Sequence, residues 1–185
     1  MIRASRCVMF GILLAACHHA APARTDAPPG SGWVAACDSA RPPLLGSGRR
    51  TTGALSSAER DSLLREVEVH RAAWRAHGIT DYRIRVDIGC FCPLSPPAVL
   101  EVRAGVPIAL RDTAGRPYTA IHEPLSFYTV EGLFDAVAQT VRRADVVDVV
   151  FDACHDYPAS IRGDTKVGLP DDWFWTTATL LMRRR

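Results

Sequence analysis

The sequence predicts an α+β domain in which two helices pack on one face of a mainly antiparallel sheet. Three observations predict it. Two stretches repeat apolar residues at helical spacing behind a capping residue. Three strand-length stretches follow each of them, giving the order α-β-β-β-α-β-β-β. The strands follow one another too closely for the crossovers that parallel pairing needs, so hairpins remain and both helices fall on a single face. With 185 residues, 48% of them hydrophobic and 23% charged, the chain has a globular composition and room for one domain of ordinary size.

The first helix opens behind Ser56, and Glu59 completes a capping box. Leu63, Val67, His70 and Trp74 form its apolar stripe, Leu64 and Ala73 widen it, and Gly78 ends it. The period then changes to two. Tyr82, Ile84, Val86 and Ile88 share one face of a strand, and Arg83, Arg85 and Asp87 share the other. Ala98–Ala104 and Val106–Arg111 form two more strands around a turn at Gly105, and Asp112–Pro124 reads as a polar loop. A second helix starts at the Thr129 cap, with Val130, Leu133, Phe134, Val137 and Val141 as its stripe and Arg142-Arg143 at its negative end. Val146–Phe151, Ala159–Gly163 and Trp173–Met182 are the last three strands. Each strand after a helix ends at a cysteine, passes a proline and returns in a short strand, as an internal duplication would.

The N-terminus reads as an address. Arg3 and Arg6 precede an apolar run, Cys7–Ala16, that is about half a bilayer span; these are the two regions of a secretory signal. Leu14-Ala15-Ala16-Cys17 resembles the lipobox of bacterial lipoproteins. The resemblance implies a signal peptide over residues 1–16, acylation of Cys17, and a membrane partnership through the lipid alone. His18, standing where an Asp would retain a lipoprotein in the inner membrane, implies outer-membrane delivery in a two-membrane bacterium. Residues 17–53 are rich in Ala, Pro, Gly, Arg and Ser without any period and read as a flexible tether, with Trp33 and Cys37 as points that dock on the domain. Residues 54–185 are the domain. Losing Arg3 and Arg6 brings the formal charge from +2 to zero, so no basic field remains to attract nucleic acid.

Without Cys7 and Cys17, four cysteines remain: Cys37, Cys90, Cys92 and Cys154. An even number in an oxidising compartment suggests disulfides. A bridge between Cys90 and Cys92 closes a very small ring, so Cys154 is the first partner for one of them and Cys37 for the other. The alternative is a zinc set of Cys90, Cys92, Cys154 and His155, or a redox-active thiol. No nucleophile elbow, metalloprotease helix, phosphate loop or dinucleotide fingerprint is present, which leaves a hydrolase as a remote reading and calls for no cofactor. The expectation is a binding or structural role in the cell envelope. Trp173 and Trp175, with Tyr157, are the candidate face for an envelope protein partner.

Trp74, Asp81-Tyr82, Cys90-Phe91-Cys92, Val130 with Leu133-Phe134, Phe151-Asp152, Tyr157-Pro158 and Asp164 occur in that order. In this the stretch 57–180 resembles a family of small secreted or lipid-anchored bacterial domains, the domain of unknown function 6174. Phe151 stands where that family usually has tyrosine and Asp156 where it usually has glycine, and Cys154-His155 is a local addition. The resemblance implies a fold and a location, and no activity.

Overall fold

The computed structural model describes residues 32–35, 48–50, 53–90, 97–118, 124–166 and 173–184, with 48–50 and Cys90 described by their backbone. The order of elements is β1 (Trp33–Ala35), β2 (Gly48–Arg50), α1 (Ser57–Ala76), β3 (Tyr82–Cys90), β4 (Ala98–Arg103), β5 (Val106–Asp112), a 3-10 turn (Leu125–Tyr128), α2 (Val130–Arg143), β6 (Val146–Phe151), β7 (Pro158–Asp164) and β8 (Trp173–Arg184). The α+β class and the order helix, three strands, helix, three strands hold. β1 and β2 are additional, and both lie inside the stretch expected as tether. Their sequences, Trp-Val-Ala and Gly-Arg-Arg, are too short to show a period, so only the edges they pair with make them strands.

Local chemistry sets the helix ends. Ser56 accepts a hydrogen bond from the Glu59 backbone N–H while the Glu59 carboxylate accepts from Ser56, a reciprocal capping box. The Thr129 hydroxyl accepts from the Gly132 N–H at 3.0 Å and so caps α2. Gly78 takes φ +62° just past α1, a backbone state that any Cβ disfavours. At the far end of α2, the Arg60 guanidinium of α1 donates to the carbonyls of Val141 and Ala144. It thus satisfies groups the helix leaves unpaired.

Eight strands make one antiparallel sheet, ordered β2-β6-β7-β8-β3-β4-β5, with β1 paired to the end of β8. One face is apolar: Ile84, Val86, Leu100, Val102, Val147, Val149 and Ile161 are buried there. Both helices cover that face with Leu63, Val67, Leu133, Phe134, Val137 and Val141, all fully buried. Burying a side chain of this size contributes roughly 1.5–3 kcal/mol. The helices are tied to each other by Arg71 to Asp135 at 2.8 Å and Arg75 to Glu131 at 2.9 Å, exposed pairs that contribute little.

The echo between the halves does not become symmetry in space. β8, the third strand of its half, lies beside β3, the first of the other, and runs antiparallel to it. A two-fold axis normal to the sheet would instead bring β6 beside β3. The matching element order is therefore not a rotational duplication.

Three aromatic rings lock α1 to the sheet. Trp74 meets Tyr82 edge-on at 5.7 Å and Tyr157 at 6.1 Å. Each tyrosine hydroxyl accepts a hydrogen bond from a buried backbone N–H: Tyr82 from Val130 at 3.1 Å, at the start of α2, and Tyr157 from Leu180 at 2.9 Å, in β8. Burial raises the Tyr82 hydroxyl to about 12 against the relief of the Val130 bond. Burial also raises Tyr157, with the nearby Asp152 carboxylate adding to it. Both therefore stay protonated across the physiological range. Tyr157→Phe strands the Leu180 N–H and is expected to lower unfolding free energy by about 1–3 kcal/mol. Urea denaturation with an unchanged m-value checks this.

Candidate functional site

The face of the sheet opposite α1 and α2 carries a different composition. Reading across the register, its residues include Arg162 on β7, Trp173, Trp175, Thr177 and Thr179 on β8, Arg83, Arg85 and Asp87 on β3, and Val99, Glu101 and Arg103 on β4. Trp173 is 39% exposed, and the Arg162 guanidinium lies 5.9 Å from its ring. Trp175, paired with Arg162 across the ladder, lies over Gly89 of β3. A Cβ at residue 89 would sit 2.2 Å from the indole, so only glycine lets this ring lie on the strand. The result is a Trp–Arg–Trp row on the open face where β8 begins.

The other end of this face is already occupied by the chain itself. Trp33 of β1 is buried, with Arg103 4.4 Å and Arg83 5.0 Å from its ring. Both arginines also reach Glu101, at 2.7 Å and 3.0 Å. Burial works to raise the Glu101 carboxyl, but the Arg103 and Arg83 bonds and charges outweigh it and hold the group below its ordinary value. The composition of the stretch around Trp33 hides this docking, and its only sign in the sequence is a tryptophan in an otherwise small-residue segment.

Tyr157 does not belong to the open face. It is buried at 3% exposure in the Trp74 cluster, because Pro158 starts β7 with Tyr157 turned toward the helices. Phe174, between the two tryptophans, also faces the helices. There it helps line a cleft of about 730 Å³ beside α2 with Ile88, Phe127, Ala136 and Ile161. The volume suits a small molecule, but the charged rim residues Glu131 and Asp135 are engaged by Arg75 and Arg71 of α1.

A second polar cluster forms where the end of α1 meets the β6–β7 turn. His70 Nδ1 lies 2.9 Å from Asp156 Oδ1, and His77 Nε2 lies 3.6 Å from Asp156 Oδ2. The spacing of seven residues places both rings on one side of α1. His70 also stacks on Phe151 at 3.8 Å, which explains how an aromatic ring without a hydroxyl suits that position. Asp156 has φ +63°, in the left-handed region that favours glycine and that Asp tolerates better than bulkier residues. The two imidazoles give this carboxylate a reason to be there. His155 is buried at 6% exposure and its ring meets His77 edge-on at 5.3 Å.

Asp152 organises the turn. Its Oδ1 accepts from the backbone N–H of Cys154 at 3.0 Å and of His155 at 2.8 Å, and lies 3.5 Å from His155 Nδ1. Burial works to raise the Asp152 carboxyl, but the His155 ring and the two N–H donors outweigh it and hold it below the ordinary value. The donor atoms of Asp152, Cys154 and His155 lie within 4.8 Å of one another. Cys154 is disulfide-bonded, however, and a disulfide sulfur lacks the thiolate charge on which zinc ligation rests. Its partner sulfur is not among the described side chains. Cys90, another member of the expected zinc set, pairs through its backbone with Phe174, at the opposite end of β8 from this turn. The same separation corrects the expected pairing of Cys154 with Cys90. Cys17, Cys37 and Cys92 lie outside the described residues.

Residues 66–182 match the family described as Family of unknown function, DUF6174. The chain belongs to this family. The match spans α1 from its third turn through nearly all of β8, and so takes in both the open face and the histidine cluster. β1 and β2 precede it. No curated protein and no solved structure matches the chain.

The lowered Asp152 carboxyl has a consequence for acid stability. A group whose value falls on folding stabilises the native state above its unfolded value, near 3.9, and that contribution disappears as pH falls through the folded value. Asp152→Asn is therefore expected to be less stable than the parent at pH 7 and to lose less on acidification below about pH 4. Urea midpoints measured at both pH values check the difference.

Proposed function

We propose that this chain is a lipid-anchored cell-envelope protein that binds a protein partner with the helix-free face of its sheet. The observation that carries the binding role is the Trp173–Arg162–Trp175 row. Tryptophan and arginine dominate the energetic centres of protein interfaces, and a half-exposed aromatic row on the face opposite the helices matches that composition. Support for the anchor comes from the sequence: Arg3 and Arg6, the apolar run and Leu14-Ala15-Ala16-Cys17. No helix among the described residues is long and apolar enough to cross a membrane, so on this reading attachment falls to the lipid.

Two experiments test the two halves of the reading. Cys17→Ser is expected to move the protein from the membrane fraction to the soluble envelope fraction; unchanged membrane retention refutes the anchor. A photo-crosslinking residue at Thr179, exposed on the open face, is expected to give a discrete adduct in intact cells, whereas one at Val69, 67% exposed on α1, is expected to give none. Trp173→Ala in the Thr179 background should abolish the adduct. An adduct from Val69 alone refutes the assignment of the face.

A further inference from the structure

The sheet register says which cysteine is able to reach Cys154. β3 occupies one side of β8 along Phe174–Arg183. β7 and β1 must therefore share the other side, end to end: β7 pairs with Trp173–Thr177 and β1 with Met182–Arg184. Both run antiparallel to β8. At Ala35, which pairs with Met182, β1 points toward the start of β7, which is where the β6–β7 turn carries Cys154. Cys37 comes two residues after Ala35, a reach of at most about 7 Å.

Cys90 and Cys92 are badly placed by the same register. Cys90 is level with Phe174, whereas β7 begins beyond the Ser160–Thr177 pair and the Tyr157 hydroxyl reaches Leu180. Six residues of strand separate Phe174 from Leu180, about 20 Å at the rise of a β-strand. A disulfide holds its Cα atoms within about 7 Å, and the two residues from Cys90 to Cys92 recover at most about 7 Å of that distance.

We propose that Cys37 and Cys154 form a disulfide that fastens the segment before α1 to the β6–β7 turn, leaving Cys90 and Cys92 outside the bridge. Each thiol gives up one proton and one electron as the sulfur–sulfur bond forms. A protein disulfide of an exported thiol oxidoreductase takes both electrons and both protons and becomes a dithiol. The bond complements the docking of Trp33 between Arg83 and Arg103, so β1 is held on both sides of its three residues. It needs an oxidising compartment, and in that respect rests on the exported location proposed above.

Trypsin separates the candidates cleanly. Cys37 falls in peptide 25–49, Cys154 in 144–162, and Cys90 with Cys92 in 86–103. Mass spectrometry of a non-reducing digest of protein taken from its native envelope is expected to show 25–49 joined to 144–162, and to lose that species on reduction. Peptide 144–162 joined to 86–103, or carrying a free thiol, overturns the pairing. The same digest reports any acyl mass on Cys17, so a failed anchor and a failed bridge are distinguishable. In thermal unfolding, Cys37→Ser and Cys154→Ser are expected to lower Tm equally, with no further fall in the double variant. Additive falls overturn the pairing.

Discussion

Trp74 is the fixed point of this domain. Its indole sits between two tyrosines that come from different parts of the sheet. Each tyrosine carries the constraint onward by accepting a buried backbone N–H, one opening α2 and one in β8. One side chain on α1 thus positions the second helix, the first strand after α1 and the closing strand. The arrangement is demanding because a buried hydroxyl or N–H left without a partner is costly. The three rings and two hydrogen bonds have to form together. That mutual dependence makes the region around the β6–β7 turn a rigid frame, on which the Asp152 and Asp156 carboxylates are held against three histidines.

The same frame divides the molecule into two kinds of surface. Toward the helices, alternation along β3, β4 and β6 delivers aliphatic side chains to a closed core. Away from them, the alternate positions deliver arginines, threonines and tryptophans to a surface that no other element among the described residues covers. Antiparallel sheets tolerate such one-sided burial. In this chain the open side is not uniform: its β4 end is closed off by Trp33 from the N-terminal segment, and its β7–β8 end displays Trp173. The sheet therefore uses an aromatic ring at each end, one turned inward to the chain's own arginines and one outward.

Much of the fold was legible in the residues, for reasons that differ by element. α1 and α2 announce themselves because Ser56, Glu59 and Thr129 carry cap chemistry that works locally, ahead of stripes such as Leu63, Val67 and Trp74. β3, β4 and β6 are readable because a half-buried strand alternates. β1 and β2 were not, because a three-residue strand has no period, and its existence depends on an edge supplied by β8 or β6, about a hundred residues away or farther. Trp173 and Trp175 lie on one face of β8, which is legible because parity along a strand is local. Tyr157 was not, because its direction is set by the turn before Pro158 and by Trp74 across the core. The cysteines show the sharpest limit. Sequence proximity to matching strand ends suggested Cys90 for Cys154, but the order β7-β8-β3 sends those ends to opposite edges of the molecule.

The pairing of β1 with the last residues of β8 also sets a geometric allowance. For a chain held at Cys17, sixteen residue steps lead from the acylated residue to Trp33, where β1 begins. Fully drawn out, sixteen steps span at most about 58 Å. Under the proposed anchor, the domain stays within a thin slab of fluid beside the bilayer, and a partner of the Trp173 face stands in that slab or extends down to it.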